Sequence, residues 1–299
     1  MLPLLLLRIN VKQLQDLQLP PYAGSMLRGA FGHALKHVAC TTKLPSCQQC
    51  PLAQLCVYTQ VFEAPVHLQS QAQAQFVNPY IIKAPASNNR YIAANSMWYF
   101  DMVLVGKAIE QWPIVAFAWQ KACQDGFGKG KSAAELISIY QNDHVLYQPQ
   151  TPLNHYQLTV IKPLNNSNQV TLNFVTPLRL QHQNHVILHS EQLSAPILLM
   201  GLAKRIQRLT ELHATPLSLQ MPSLLAAAQH ITLHAQLKRD TLSRYSNRQQ
   251  RPMNLDGLIG SITLTGDLTL FALLLSLGEL IHLGKNATMG MGQYLINRD

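Results

Sequence analysis

The sequence predicts an α+β fold built from two βαββαβ units in tandem, and three observations carry that reading. Apolar patterns of period 2 and of longer helical period recur in the same order in both halves of the 299 residues. A loop rich in glycine and lysine follows the last helical pattern of each half. A stretch rich in Pro, Asn and Gln, 151–168, separates the halves. The order of elements is that of the ferredoxin-like (RRM-like) split βαβ, twice over. It gives an N-terminal domain over 1–150, a linker over 151–168 and a C-terminal domain over 169–299.

In the first half the patterns place a strand over Pro3–Lys12 and a helix over Pro21–Val38. A cysteine-rich insertion follows at about 39–60. Strands come near Ala74–Lys83 and Ser96–Val105, then a helix over Gly106–Gln124 with Pro113 as an irregularity, and a strand over Glu135–Tyr147. The second half repeats this with a strand over Val170–Leu180, a helix over Ser194–His213 and a strand over Ile231–Lys238. A strand over Leu258–Thr265, a helix opened by Asp267 and running to His282, and a strand over Gln293–Asn297 complete it. Residues 216–228 give no clear pattern. The arginine-rich connection 238–251 fits either a helix or a loop.

Composition narrows the function. Lys and Arg number 23 against 14 Asp and Glu, a net charge of +9 on a chain in which 12% of residues are charged. Such a sparse, basic surface points to a polyanionic partner, nucleic acid before membrane. The apolar start, Met1 to Leu7, lacks a basic n-region and stops at Arg8, so it reads as a buried strand rather than a signal peptide. The other apolar run, 268–283, is short for a span and holds Glu279 and His282, so no transmembrane segment is expected. Five cysteines, four of them bunched, do not form a secreted disulfide framework in a chain this long, and a reducing cytoplasm is expected.

Both glycine loops suit a polyanion. In 282–292, Gly284, Gly290 and Gly292 permit positive φ and close approach of the backbone to a phosphodiester, with Lys285 beside them. The sequence 126–131 sets Lys129 and Lys131 among three glycines. Each loop leaves a helix and enters a strand, the reverse of a dinucleotide fingerprint, which excludes that cofactor site. Between 238 and 251 lie Lys238, Arg239, Arg244, Arg248 and Arg251 with Tyr245, against Asp240 alone, a strip suited to phosphates and unpaired bases. Lys204, Arg205 and Arg208 alternate with apolar residues and are expected on the surface of a packing helix.

Cys40, Cys47, Cys50 and Cys56 form C-x6-C-x2-C-x5-C. Four thiolates this close suit one structural tetrahedral zinc in a segment too short for its own core; reduced, unligated cysteines are the alternative. His33 and His37 lie four apart on one helix face. That spacing also permits metal ligation, but the glutamate of a zinc-protease helix is absent.

The runs 27–36, 50–63, 176–180, 244–249 and 282–292 occur in the order seen in the RAMP superfamily. Together they resemble the CRISPR-associated endoribonucleases that process precursor crRNA. The resemblance implies binding of CRISPR repeat RNA and metal-independent cleavage by 2′-hydroxyl attack, with no catalytic cofactor and a 2′,3′-cyclic phosphate product. Other CRISPR effector subunits are implied partners, and a non-catalytic RNA-binding RAMP subunit is the alternative. Such cleavage needs a base, an acid and charge donors, and histidine titrates near neutrality. The family often draws a catalytic histidine from the first helix, which selects His37 and then His33 among the 12 histidines. His282 is a further candidate acid. Arg28, Lys36 and Lys285 are the candidates to hold phosphorane charge.

Overall fold

The computed structural model describes residues 2–63, 76–85, 90–165, 168–246 and 251–297. The chain divides into two compact units, 1–159 with 212–215, and 160–211 with 216–299. Among the described residues no helix is long and apolar enough to cross a membrane.

The first unit is built on β1 (Leu4–Gln13), α1 (Ala23–Ala39), β3 (Tyr80–Lys83), β5 (Met97–Val105), α3 (Trp112–Asp125) and β6 (Ala134–Gln141). Short additions are β2 (Leu17–Gln18), α2 (Val57–Val61), β4 (Tyr91–Ile92) and β7 (His144–Tyr147). Its antiparallel sheet runs β3-β5-β1-β6-β7, which is the 4-1-3-2 order of a ferredoxin-like unit extended by one strand. β1 shows why: Leu5, Leu7, Ile9 and Val11 are buried, and Arg8, Asn10 and Lys12 alternate with them on the other face. Leu27, Phe31, Ala34 and Leu35 form the buried stripe of α1, and Phe31 stacks on Trp119 of α3 at 5.0 Å between ring centroids.

The second unit repeats the plan with β8 (Gln169–Leu178), α4 (Ala195–His213), β11 (Thr232–Asp240), β14 (Gly257–Thr265), α6 (Ala272–Ile281) and β15 (Tyr294–Ile296). Its sheet order, β11-β14-β8-β15, is again 4-1-3-2. Tyr294 locks α6 to the sheet. Its hydroxyl donates to the Leu275 carbonyl at 2.7 Å, and a Cβ on Gly278 would sit 2.0 Å from that oxygen, so only glycine fits there. β9 (Gln181–His182) pairs with β10 (His185–Val186).

Three expectations change. The single strand over 135–147 is a hairpin, because Asn142 takes φ +51° and reverses the chain between β6 and β7. Residues within 216–228 form α5 (Met221–Gln229), with proline in its first turn. The arginine-rich connection is neither helix nor loop: β12 (Ser243–Ser246) pairs with β13 (Arg251–Asn254) in an antiparallel hairpin. Arg244 stands opposite Met253 and Tyr245 opposite Pro252, while Arg248 lies outside the described residues.

Candidate nucleic-acid interface

In the second unit the strand register gathers residues far apart in sequence. Leu178 pairs with Leu258, and Asp240 with Gly257, so the end of β8, the start of β14 and the end of β11 lie together. The β12–β13 hairpin springs from that end. The glycine loop docks there too: Arg179 bridges Gly284, the Lys285 N–H donates to the Arg179 carbonyl at 2.8 Å, and the Gly292 N–H donates to the Pro177 carbonyl at 2.9 Å. One end of one sheet thus carries Arg179, Lys238, Arg239 and Lys285 with the backbone of the arginine hairpin. Lys238, Arg239 and Lys285 are exposed.

Asp256, nearly buried, organises this end. Its carboxylate accepts from Arg239 Nη2 at 2.6 Å and its carbonyl accepts from Arg179 Nη1 at 2.7 Å. Both guanidiniums are held by these hydrogen bonds, and Lys285 stands exposed at the rim. Arg179 belongs to the site although charge counting over runs of basic residues passes over it. The signal was its place in the run 176–180, which lies at the carboxyl end of a central strand.

The glycines take the positive φ expected, +91° at Gly284, +90° at Gly290 and +70° at Gly292. Their steric reason is internal. A Cβ on Gly284 would meet the Arg179 carbonyl oxygen at 2.5 Å, and one on Gly292 the Leu283 oxygen at 1.7 Å. At these two positions glycine lets the loop close on its own backbone and present Lys285. His282 is 0% exposed with φ +59°, so its ring is sealed from any RNA and it is no acid. Arg205, expected on the surface, turns inward. Its guanidinium donates to the Ile281 and His282 carbonyls at 2.9–3.1 Å, capping the end of α6, and burial pulls it down to about 10.

In the first unit α1 presents three stripes. The buried one faces the sheet. A second, Arg28, Gly32 and Lys36, faces α2 and its flank: the Arg28 guanidinium lies 4.5 Å from the Phe62 ring centroid and Lys36 Nζ 5.8 Å from that of Tyr58. A Cβ on Gly32 would fall 2.2 Å from the Phe62 ring. The third stripe is Gly29, His33 and His37, with both imidazoles exposed. Arg28 and Lys36 therefore brace α1 against aromatic rings beside the histidines.

The other glycine loop is pinned by Phe127, fully buried and bridged to Ser132, and leaves Lys129 and Lys131 exposed. Its Gly128 has Met26 Sδ 3.9 Å from an ideal Cβ, seven residues before His33 on α1, or about 10 Å along the helix. At Gly128 the loop therefore meets the N-terminal half of α1.

Cys40, Cys47, Cys50 and Cys56 line one cavity of about 210 Å³, and Thr42 Oγ1 lies 3.4 Å from Cys50 Sγ. Among the described residues no group of three or more His, Cys, Asp or Glu is gathered to hold a metal ion. The thiols share a cavity without forming a preassembled tetrahedron. Leu55 in the same segment is 79% exposed, and the segment is tied to the core through Tyr58, Val61 and Phe62, the last stacked on Tyr80 at 5.9 Å. The remaining cysteine, Cys123, is buried, which pushes its thiol up to about 12 and leaves it inert.

Comparison with known proteins agrees with this geometry. Residues 2–161 match a family model described as an N-terminal domain (AF_1859_N), and residues 172–294 match that of the CRISPR-associated endoribonuclease Cas6. An uncharacterized protein of Archaeoglobus fulgidus is 24% identical over 288 residues, covering 93% of this chain and 92% of that one. The product complex of Thermus thermophilus Cas6 (TTHB231) superposes with a TM-score of 0.60 at 13% identity, covering 99% of this chain and 100% of the other. A partial Cas6-RT-Cas1–Cas2 complex gives 0.61 at 13% identity over 100% of this chain and 46% of that longer one. The chain thus has the Cas6 fold throughout and carries, over 172–294, a region that matches the CRISPR-associated endoribonuclease Cas6, while the model spanning more than half of it, over 2–161, places the chain in the family described as AF_1859_N.

Proposed function

We propose that the protein binds CRISPR repeat RNA and cuts precursor crRNA without a catalytic metal. The observation that carries this is the convergence of Arg179, Arg239, Lys285 and the arginine hairpin at one end of the sheet that matches Cas6. The match of 172–294 to the Cas6 endoribonuclease model supports RNA processing, and exposed imidazoles on α1 supply the groups the chemistry needs. His37, with His33 as the second candidate, takes the proton of the 2′-hydroxyl. The 2′-oxygen then attacks phosphorus, the P–O5′ bond breaks, and an acid returns a proton to O5′, leaving a 2′,3′-cyclic phosphate. Cationic side chains stabilise the phosphorane charge. The Cas6-RT-Cas1–Cas2 assembly of a structural relative supports association with other CRISPR proteins.

The test is cleavage of the cognate repeat RNA in excess EDTA, beside a 2′-deoxy substitution at the scissile nucleotide and the His37→Ala and His33→Ala variants. Cutting that survives EDTA, stops with the deoxy substrate and falls about 100-fold or more in one histidine variant is expected. Tight, salt-sensitive binding without cutting would instead make the protein an RNA-binding subunit.

A further inference from the structure

Glycine weakens a helix interior relative to alanine, so a mid-helix glycine calls for a reason. α1 supplies one for Gly32, where the Phe62 ring occupies the place of a Cβ. It supplies none for Gly29. Among the described residues a Cβ there meets nothing within 4 Å, its φ is not in the left-handed region, and alanine would fit while strengthening the helix. Packing among the described residues does not require glycine at this position.

Gly29 stands one turn before His33 and two turns before His37, on the exposed stripe and not on the one braced by Phe62 and Tyr58. The other use of glycine is to let a ligand lie close against the backbone. We propose that Gly29 is a positioning residue for RNA: the sugar–phosphate backbone of the bound substrate lies against α1 at Gly29, and the missing Cβ sets how closely the scissile phosphodiester approaches the two histidines. This rests on the reading of that stripe as the cleavage face. A methyl group displaces the strand by roughly 1–2 Å, and misplacement of about 1 Å at a reacting centre costs on the order of 100-fold in rate.

The experiment combines thermal melting with single-turnover cleavage and RNA affinity for the wild type, Gly29→Ala and Gly29→Leu. The expected result is opposition of sign: Gly29→Ala melts about 2–4 °C higher yet cuts 10- to 100-fold more slowly. Gly29→Leu loses more, with helicity unchanged. A purely structural glycine would show parallel loss of stability and activity. Gly29→Ala with higher melting and unchanged binding and cleavage overturns the inference while leaving the proposed function intact. A wild type that neither binds nor cuts repeat RNA overturns both.

Discussion

Gly292→Ala is the sharpest perturbation of the basic loop. At φ +70° an alanine costs about 1–2 kcal/mol of backbone strain before any contact is counted. Its methyl carbon would lie 1.7 Å from the Leu283 carbonyl oxygen, so one of the two segments must move. Two hydrogen bonds are at stake, Leu283 N–H to the Gly292 carbonyl at 3.0 Å and Gly292 N–H to the Pro177 carbonyl at 2.9 Å, each contributing about 1 kcal/mol. Together these give roughly 3–4 kcal/mol, or about 10–15 °C in the melting of a domain of this size. Scanning calorimetry reads the loss, and filter binding below the transition reads RNA affinity, expected to fall because Lys285 is no longer held beside Arg179. Gly130→Ala is the control. Its methyl would meet nothing nearer than Ser132 Oγ at 3.8 Å, and melting should stay within about 1 °C. A Gly292→Ala protein that melts within 2 °C of wild type would refute the account of the loop as closed on its own backbone.

Lys285→Ala should weaken binding of all RNA sequences alike and lower the slope of log affinity against log salt by about 0.7–0.9; an unchanged slope would remove Lys285 from the phosphate contacts. For the cysteine cavity we propose one structural zinc, supported by the four cysteines that line it; since the described residues gather no ready set of three ligands, binding would draw the thiols together. Elemental analysis should find one zinc per chain, lost together with stability in Cys50→Ser, whereas metal-free protein with five titratable thiols would exclude it. His213, grouped with the first unit, donates from Nε2 to the Val77 carbonyl at 2.6 Å, and burial holds it below the ordinary histidine value of 6.5. The unfolded chain then takes up this proton first. Stability present above about pH 6.5 should decline as pH falls through the lower folded value, and a His213→Gln variant should show a shallower decline in acid melts.

The fold was legible where burial enforced a pattern. β1 alternates because one face meets α1, and both helices of each unit carry a continuous apolar stripe. Legibility failed where the residue types do not alternate. The β12–β13 hairpin is an excursion of polar and basic residues, so strand pairing there leaves no alternation to read. The β6–β7 turn is made by Asn142 without a following glycine, and so resembled an uninterrupted strand. Site residues divide in the same way. That His33 and His37 share an exposed face of α1 follows from their spacing, and their choice as candidates from the family resemblance, while Arg179 required the register that carries it to the glycine loop. Arg205 and His282 were misplaced because sequence gives charge and position but not which way a side chain turns at a helix end.

The 4-1-3-2 strand order has a consequence for how the first unit forms. Asn10 Nδ2 donates to Ser138 Oγ across 128 residues, so the central pairing of β1 with β6 cannot be made until nearly the whole unit has left the ribosome. Local helices can form earlier, but sheet closure is a late and slow event. The cysteine segment sits inside that span. Because closure entropy grows only with the logarithm of loop length, some 20 extra residues raise the barrier by about 0.2 kcal/mol. The length of this segment is therefore kinetically almost silent, while its far end, through Tyr58, still packs into the core that the sheet closes over.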